Sequence, residues 1–159
     1  MELALIRTLM DKTFYDNHKG IRCPDKIFTK DIRKIKQTLD AAMKNYEGDL
    51  NPADLEALFY AQNQTMTTAT KTAYGDLFRK LNNEDTIKKD IADNVLGKLF
   101  QQYVGEKVAN LGFDFVNGSE ESLEPLRRLL EDFKDDFTPN IKIDWEDITI
   151  DTLLKANDL

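Results

Sequence analysis

Apolar residues recur three and four apart almost from the first position of this chain, and cap residues, prolines and glycines interrupt them at intervals, so the pattern predicts an all-α protein. Leu3, Ile6, Leu9 and Met10 predict an opening helix of about three turns. Phe14 and Tyr15 extend its stripe, and Gly20 ends it where a left-handed cap residue costs least. After Asp25-Lys-Ile-Phe28, Thr29 is placed as the N-cap of a helix running to about Tyr46, with Ile32, Ile35, Leu39, Ala42 and Met43 on one face. Asn51 followed by Pro52 starts a shorter helix with Leu55, Leu58 and Phe59 buried. The threonine-rich stretch from Gln62 to Thr72 reads as loop with a helix start inside it, leading to Tyr74, Leu77, Phe78 and Leu81.

Asn83, followed by Glu84 and Asp85, is the expected cap of a much longer helix, because acidic residues in a first turn favour the helix dipole. Ile87, Ile91, Val95, Leu99, Tyr103, Val108 and Leu111 continue one stripe without a proline. A helix from about 84 to 111 is roughly 42 Å long, against an average of about 11–12 residues for globular helices, so it is expected to project from the compact part. Gly97, Gly105 and Gly112 fall within roughly a quarter turn of one another. Glycine inside a helix costs ~1 kcal/mol relative to alanine; close approach of another helix would offset that at Gly97 and Gly105, the alternative being simple tolerance or a slight bend. Gly112 is read as the C-cap.

A tight corner follows, and Ser119 caps a second arm unless Pro125 moves its start to Ser122. Leu123, Leu126, Leu130, Phe133 and Phe137 form a seam spaced three and four, suited to coiled-coil-like pairing with the first arm or with another subunit; the alternative is a seam folded back on its own domain. Beyond Phe137, Thr138-Pro-Asn140 breaks the helix and an acidic, alternating segment reads as a tether. The expected organisation is a compact bundle of short helices over 1–82, a protruding long helical hairpin of the same domain over 83–136, and an acidic C-terminal tether over 137–159.

Composition narrows the function classes. The 159 residues, 41% of them hydrophobic, suffice for one domain with a core. One cysteine and one histidine cannot build a disulfide, a zinc site or an imidazole-based triad. His18 is read as an exposed helix-end residue and Cys23 as a small buried apolar group. No run approaches the ~18 apolar residues of a membrane span and the N-terminus is not a signal peptide, so a cytoplasmic, non-membrane protein is expected. The net charge is −7. Its excess lies in the last third: up to Phe113 there are 17 basic and 16 acidic residues, and from Asp114 onward 5 and 13. Little or no direct nucleic-acid binding is therefore expected, since phosphate contacts need clustered positive charge. The cluster Lys30, Arg33, Lys34 and Lys36 is read as a solvated helix face.

No Walker A loop, Gly-x-Gly-x-x-Gly fingerprint or calcium loop occurs. Glu131, Asp132, Asp135 and Asp136 are read as a solvated face, because a catalytic carboxylate needs a pocket to shift its pKa. The chain on its own is read as not an enzyme, with no cofactor and no metal.

Several segments together resemble the N-terminal domain of DnaB-type replicative hexameric helicases over roughly residues 2 to 136. These are Glu2-Leu-Ala-Leu-Ile-Arg-Thr-Leu-Met-Asp11 with Phe14, Asp25-Lys-Ile-Phe28 leading into Ile32-Arg-Lys-Ile35, Leu50 with Asp54-Leu-Glu-Ala-Leu58, Ala73-Tyr-Gly-Asp-Leu77 with Leu81, and above all Ala109-x-x-Gly112-Phe-Asp114 with Gly118, Leu123 and Leu126. Gln101-Gln-Tyr103 departs from the arginine many relatives carry midway along the long helix, and the acidic tether points to a phage-type relative. The resemblance implies the collar of a helicase in a bacterial or phage-infected cell. Its hairpins would pair into dimers, possibly a trimer of dimers, and it would receive primase or a helicase loader, with the ATPase motor outside this chain. The residues assigned to the hairpin interface are Gly97, Gly105, Val108, Leu111, Phe113, Phe115, Leu123, Leu126, Leu130 and Phe133. A competing expectation is a free-standing helical adaptor, such as a helicase loader or phage regulatory protein. A third is an enzyme with an unrecognised carboxylate site.

Overall fold

The computed structural model describes residues 1–20 and 23–136, with side chains up to residue 131. Phe137 and the expected tether lie outside the described residues, as does the side chain of Phe133. The described residues form seven α-helices: α1 Glu2–Leu9, α2 Lys12–His18, α3 Lys30–Asn45, α4 Pro52–Gln62, α5 Thr68–Asn83, α6 Lys89–Val116 and α7 Leu123–Asp136. The 3-10 turns Asp25–Ile27 and Glu120–Ser122 complete the regular structure, and no strand occurs among the described residues. The fold is all-α, as the periodicity predicts.

The described residues divide into two compact units, one over Met1–Asp93 and one beginning at Asn94. The division falls inside α6.

In the first unit the opening helix is two helices, not one. Asp11 interrupts it, its carboxylate accepting from the Phe14 amide at 3.0 Å and so capping α2. That bond, helped by Lys89 at 3.0 Å, holds the Asp11 pKa below the usual carboxylate value. Thr29 stands at the N-cap of α3, but its hydroxyl donates to Glu2 at 2.9 Å and leaves the helix uncapped by side chain. Asn51 caps α4 by accepting from Asp54 N, with Pro52 at the first helical position. Thr67 caps α5.

α1 packs on α2, α3 and α5, and α4 packs on α3 and α5. Their facing side chains, Leu5, Ile6, Leu9, Ile35, Leu39, Leu55, Phe59, Phe78 and Leu81, are almost wholly inaccessible. Burial of each contributes roughly 1.5–3 kcal/mol. Phe59 centres the aromatic part of this core, 4.6 Å from Tyr74 and 5.2 Å from Phe78 between ring centroids.

The long helix begins at Lys89, later than Glu84. The intervening segment is tied to α1 instead: the Ile87 amide donates to Thr8 Oγ1 at 3.0 Å, while the Thr8 hydroxyl donates to the Ala4 carbonyl. The 28 residues of α6 make a rod of roughly 42 Å. It also ends later than expected, running through Gly112 to Val116.

Candidate functional site

The corner of the hairpin is built by Gly118 and not by Gly112. Gly118 adopts φ +96°, a conformation that costs L-residues with a Cβ roughly 1–2 kcal/mol. Ser119 N donates to Asp114 O at 2.9 Å and Gly118 N to Phe115 O at 3.1 Å, the crossed pair of bonds that closes a helix in the Schellman manner. Gly112 is an ordinary, buried helical residue. Pro125 is the third residue of α7, where its missing N–H is an orphan in any case. The arm accordingly starts at Leu123, after Ser122.

Phe100, Val104 and Val108 of α6 and Leu126 of α7 form a buried cluster, with Tyr103, Leu111, Leu129 and Leu130 packed against it. The coiled-coil-like seam is thus used, at least in part, between the two arms of one chain. Of the residues assigned to an interface, Val108 and Leu126 lie in this cluster and Leu111 and Leu130 on its margin. Gly97 is buried, Phe115 half-buried, and Gly105, Phe113 and Leu123 are exposed.

α6 is apolar around much of its circumference. Its buried face is Ala92, Leu96, Phe100, Val104 and Val108, each four residues from the next. The stripe expected from the sequence is offset by one position from Ile91 to Tyr103 and meets the buried face at Val108. Ile91 is 50% exposed, while Val95, Leu99 and Tyr103 are half-buried. A Cβ built on Gly105 meets open space.

A second feature, in the first unit, escaped the sequence reading. Lys36 is not on a solvated face: it is 1% exposed. Its ammonium lies 2.7 Å from Asp40 Oδ1 and 3.5 Å from Asp25 Oδ1. The Tyr15 hydroxyl donates to the same Asp40 oxygen at 2.6 Å, and Cys23 is buried beside them. These five residues line an open cavity of about 660 Å³ together with Lys12, Lys19 and Lys44. Of the other members of the basic cluster, Lys30 and Lys34 are exposed, and Arg33 donates to the Phe28 carbonyl.

The electrostatics of this cluster favour its protonated forms. Burial pushes the Cys23 thiol up to about 12. Burial, then the Asp40 carboxylate, raises the Tyr15 phenol above its usual value. Burial alone would lower Lys36, but Cys23, Asp40 and Asp25 outweigh it and hold the ammonium above the ordinary lysine range. Near neutral pH the cluster therefore offers no thiolate, phenolate or free amine as nucleophile. It is a polar anchor joining α2, the Asp25–Ile27 turn and α3.

His18 is likewise not exposed. It is 6% accessible, stacked on Phe14 at 4.2 Å, with Nδ1 2.8 Å from the Phe14 carbonyl and Nε2 2.6 Å from Asp93 Oδ1.

Among the described residues no group of three or more His, Cys, Asp or Glu is arranged to hold a metal ion, and no helix is long and apolar enough to cross a membrane. Comparisons with protein families, curated proteins and solved structures return no match.

Proposed function

We propose that this chain is a non-catalytic assembly and docking module, the N-terminal collar domain of a DnaB-type replicative helicase, whose long helix pairs subunits and which receives primase or a helicase loader. One observation carries the assembly half. Beside the face that α6 buries, a second stripe of Ile91, Val95 and Leu99 is left half-buried to exposed. A helix that is apolar well beyond its own core face is one with a further surface to cover. The order of elements, five short helices and then a long helix hairpinned to a shorter one, is the order of segments on which the sequence resemblance rests.

The reading is tested by sedimentation equilibrium of the full chain and of the double variant Ile91→Glu, Leu99→Glu. The wild type is expected to associate and the variant to remain monomeric with unchanged helix content. Equal association of both would remove α6 as the pairing element.

A further inference from the structure

Three of the large exposed hydrophobic side chains flank the hairpin corner: Phe113 at 51%, Val116 at 50% and Leu123 at 50%. Phe113 and Val116 open and close the last turn of α6, and Leu123 is the first residue of α7. Between Phe113 and Leu126 the chain carries Asp114, Glu120, Glu121 and Glu124 and no base. Glu124 is paired, with Arg127 at 2.6 Å and Arg128 at 3.4 Å. Asp114, Glu120 and Glu121 are exposed, and no ion pair is made by them among the described residues.

Helix stability explains part of this charge. Carboxylates ahead of and within the first turn of α7 complement its dipole. Asp114 does the opposite: it stands in the last turn of α6, where the dipole is negative, and that turn contains no base. An acid placed against the dipole beside an exposed phenylalanine breaks two local rules at once, and such departures concentrate at functional surfaces.

We infer that the hairpin corner is a docking surface for a basic amphipathic helix of another protein. Its apolar face would cover Phe113, Val116 and Leu123, and its flanking lysines or arginines would meet Asp114, Glu120 and Glu121. Charge decides between the possible occupants. A second copy of the corner would set carboxylates against carboxylates, and like-charge juxtaposition at an interface is costly. The chain's own segment from residue 138 onward carries five acids against two bases and is repelled in the same way. No edge strand is present among the described residues to receive an extended peptide, which leaves helix-on-surface docking. The inference rests on the docking half of the proposed function and is independent of subunit pairing through α6.

The test is fluorescence anisotropy on the full 159-residue chain, with a labelled amphipathic helical peptide of leucine and lysine and its counterpart carrying glutamate for lysine. The lysine peptide is expected to bind ~10-fold or more tightly than the glutamate peptide, and to weaken ~10-fold with Phe113→Ser, Val116→Ser and again with Glu120→Lys, Glu121→Lys. All four positions are exposed, so the variants retain the fold, as circular dichroism would register. Binding of the lysine peptide that is indifferent to Phe113→Ser, Val116→Ser overturns the inference, because the attraction then comes from acidic surface elsewhere. Equal binding of the glutamate peptide overturns it too. Loss of self-association in the Phe113→Ser, Val116→Ser variant would identify a second copy as the occupant and also refute it. A strict monomer that binds the lysine peptide at this corner upholds the inference while refuting subunit pairing. An associating chain that ignores the peptide does the reverse.

Discussion

Lys36 shows how one residue changes meaning between sequence and structure. Counted with Lys30, Arg33 and Lys34 it looks like part of a basic face, yet it stands four residues after Ile32 and three before Leu39, on the stripe that α3 buries. Asp40 follows four residues later, the spacing at which helical side chains meet. The signal was present in the sequence. Tyr15 and Cys23, which complete the cluster, come from other parts of the chain, and nothing local announces them. His18 was illegible for the same reason, its partner Asp93 being distant in sequence. The two members of the buried pair should not be equivalent. The Lys36 side chain is 2% exposed and that of Asp40 33%, so removing Asp40 leaves an ammonium with little access to water and only the more distant Asp25 carboxylate, 3.5 Å away, beside it, whereas removing Lys36 leaves a carboxylate that water can reach. Asp40→Asn is expected to cost about 3–5 kcal/mol and Lys36→Met about 1–3 kcal/mol, read from urea denaturation; the reverse order would contradict this account.

The same residues set a response to alkali. Cys23, Tyr15 and Lys36 all hold their protons more tightly when folded than when unfolded. The stability they contribute is therefore complete below their unfolded pKa values and is lost as pH rises through the folded ones. For Cys23 the window opens near an unfolded value of ~8.5 and closes near about 12. The melting temperature is expected to fall across that range, and Cys23→Ala to flatten the fall at its lower end. A Cys23→Ala profile parallel to wild type would show that the thiol has no part in it.

At the scale of elements, α3 and α4 were legible to within a residue or two, because each has an apolar face and a start signal next to it, whereas α5 was legible at its end near Asn83 but its start at Thr68 only as lying within the threonine-rich stretch. α6 was legible in existence but not in register or limits. With apolar residues spread around it, periodicity alone does not select Ala92, Leu96, Phe100, Val104 and Val108 over the neighbouring stripe. Its end was misplaced because a glycine marks a C-cap only where φ is positive, and that glycine is Gly118. Two substitutions separate these roles. Gly118→Ala is expected to destabilise by about 1–2 kcal/mol through its backbone alone. Gly105→Ala meets open space and should stabilise the monomer by about 0.5–1 kcal/mol, since glycine inside a helix costs that much. Both are read by thermal denaturation. Should Gly105→Ala also weaken self-association, Gly105 is where a second helix comes close.

For the whole molecule, the proposed account gives the two units different tasks. The first is a closed helical core pinned by a buried ion pair. The second is a hairpin whose own core uses only part of its apolar surface. An all-α module with this distribution is suited to bringing chains together and receiving a partner, and its functional content was legible only as far as the hairpin itself. Which face of α6 stays only partly covered is decided by long-range packing that the local spacing does not encode. The central claim, that the half-covered stripe of α6 pairs subunits, is tested most directly by light-scattering mass of the wild-type chain across a wide concentration range. The account predicts masses rising from the 18.3 kDa monomer towards even multiples of it; a constant monomer mass at the highest concentrations would contradict it.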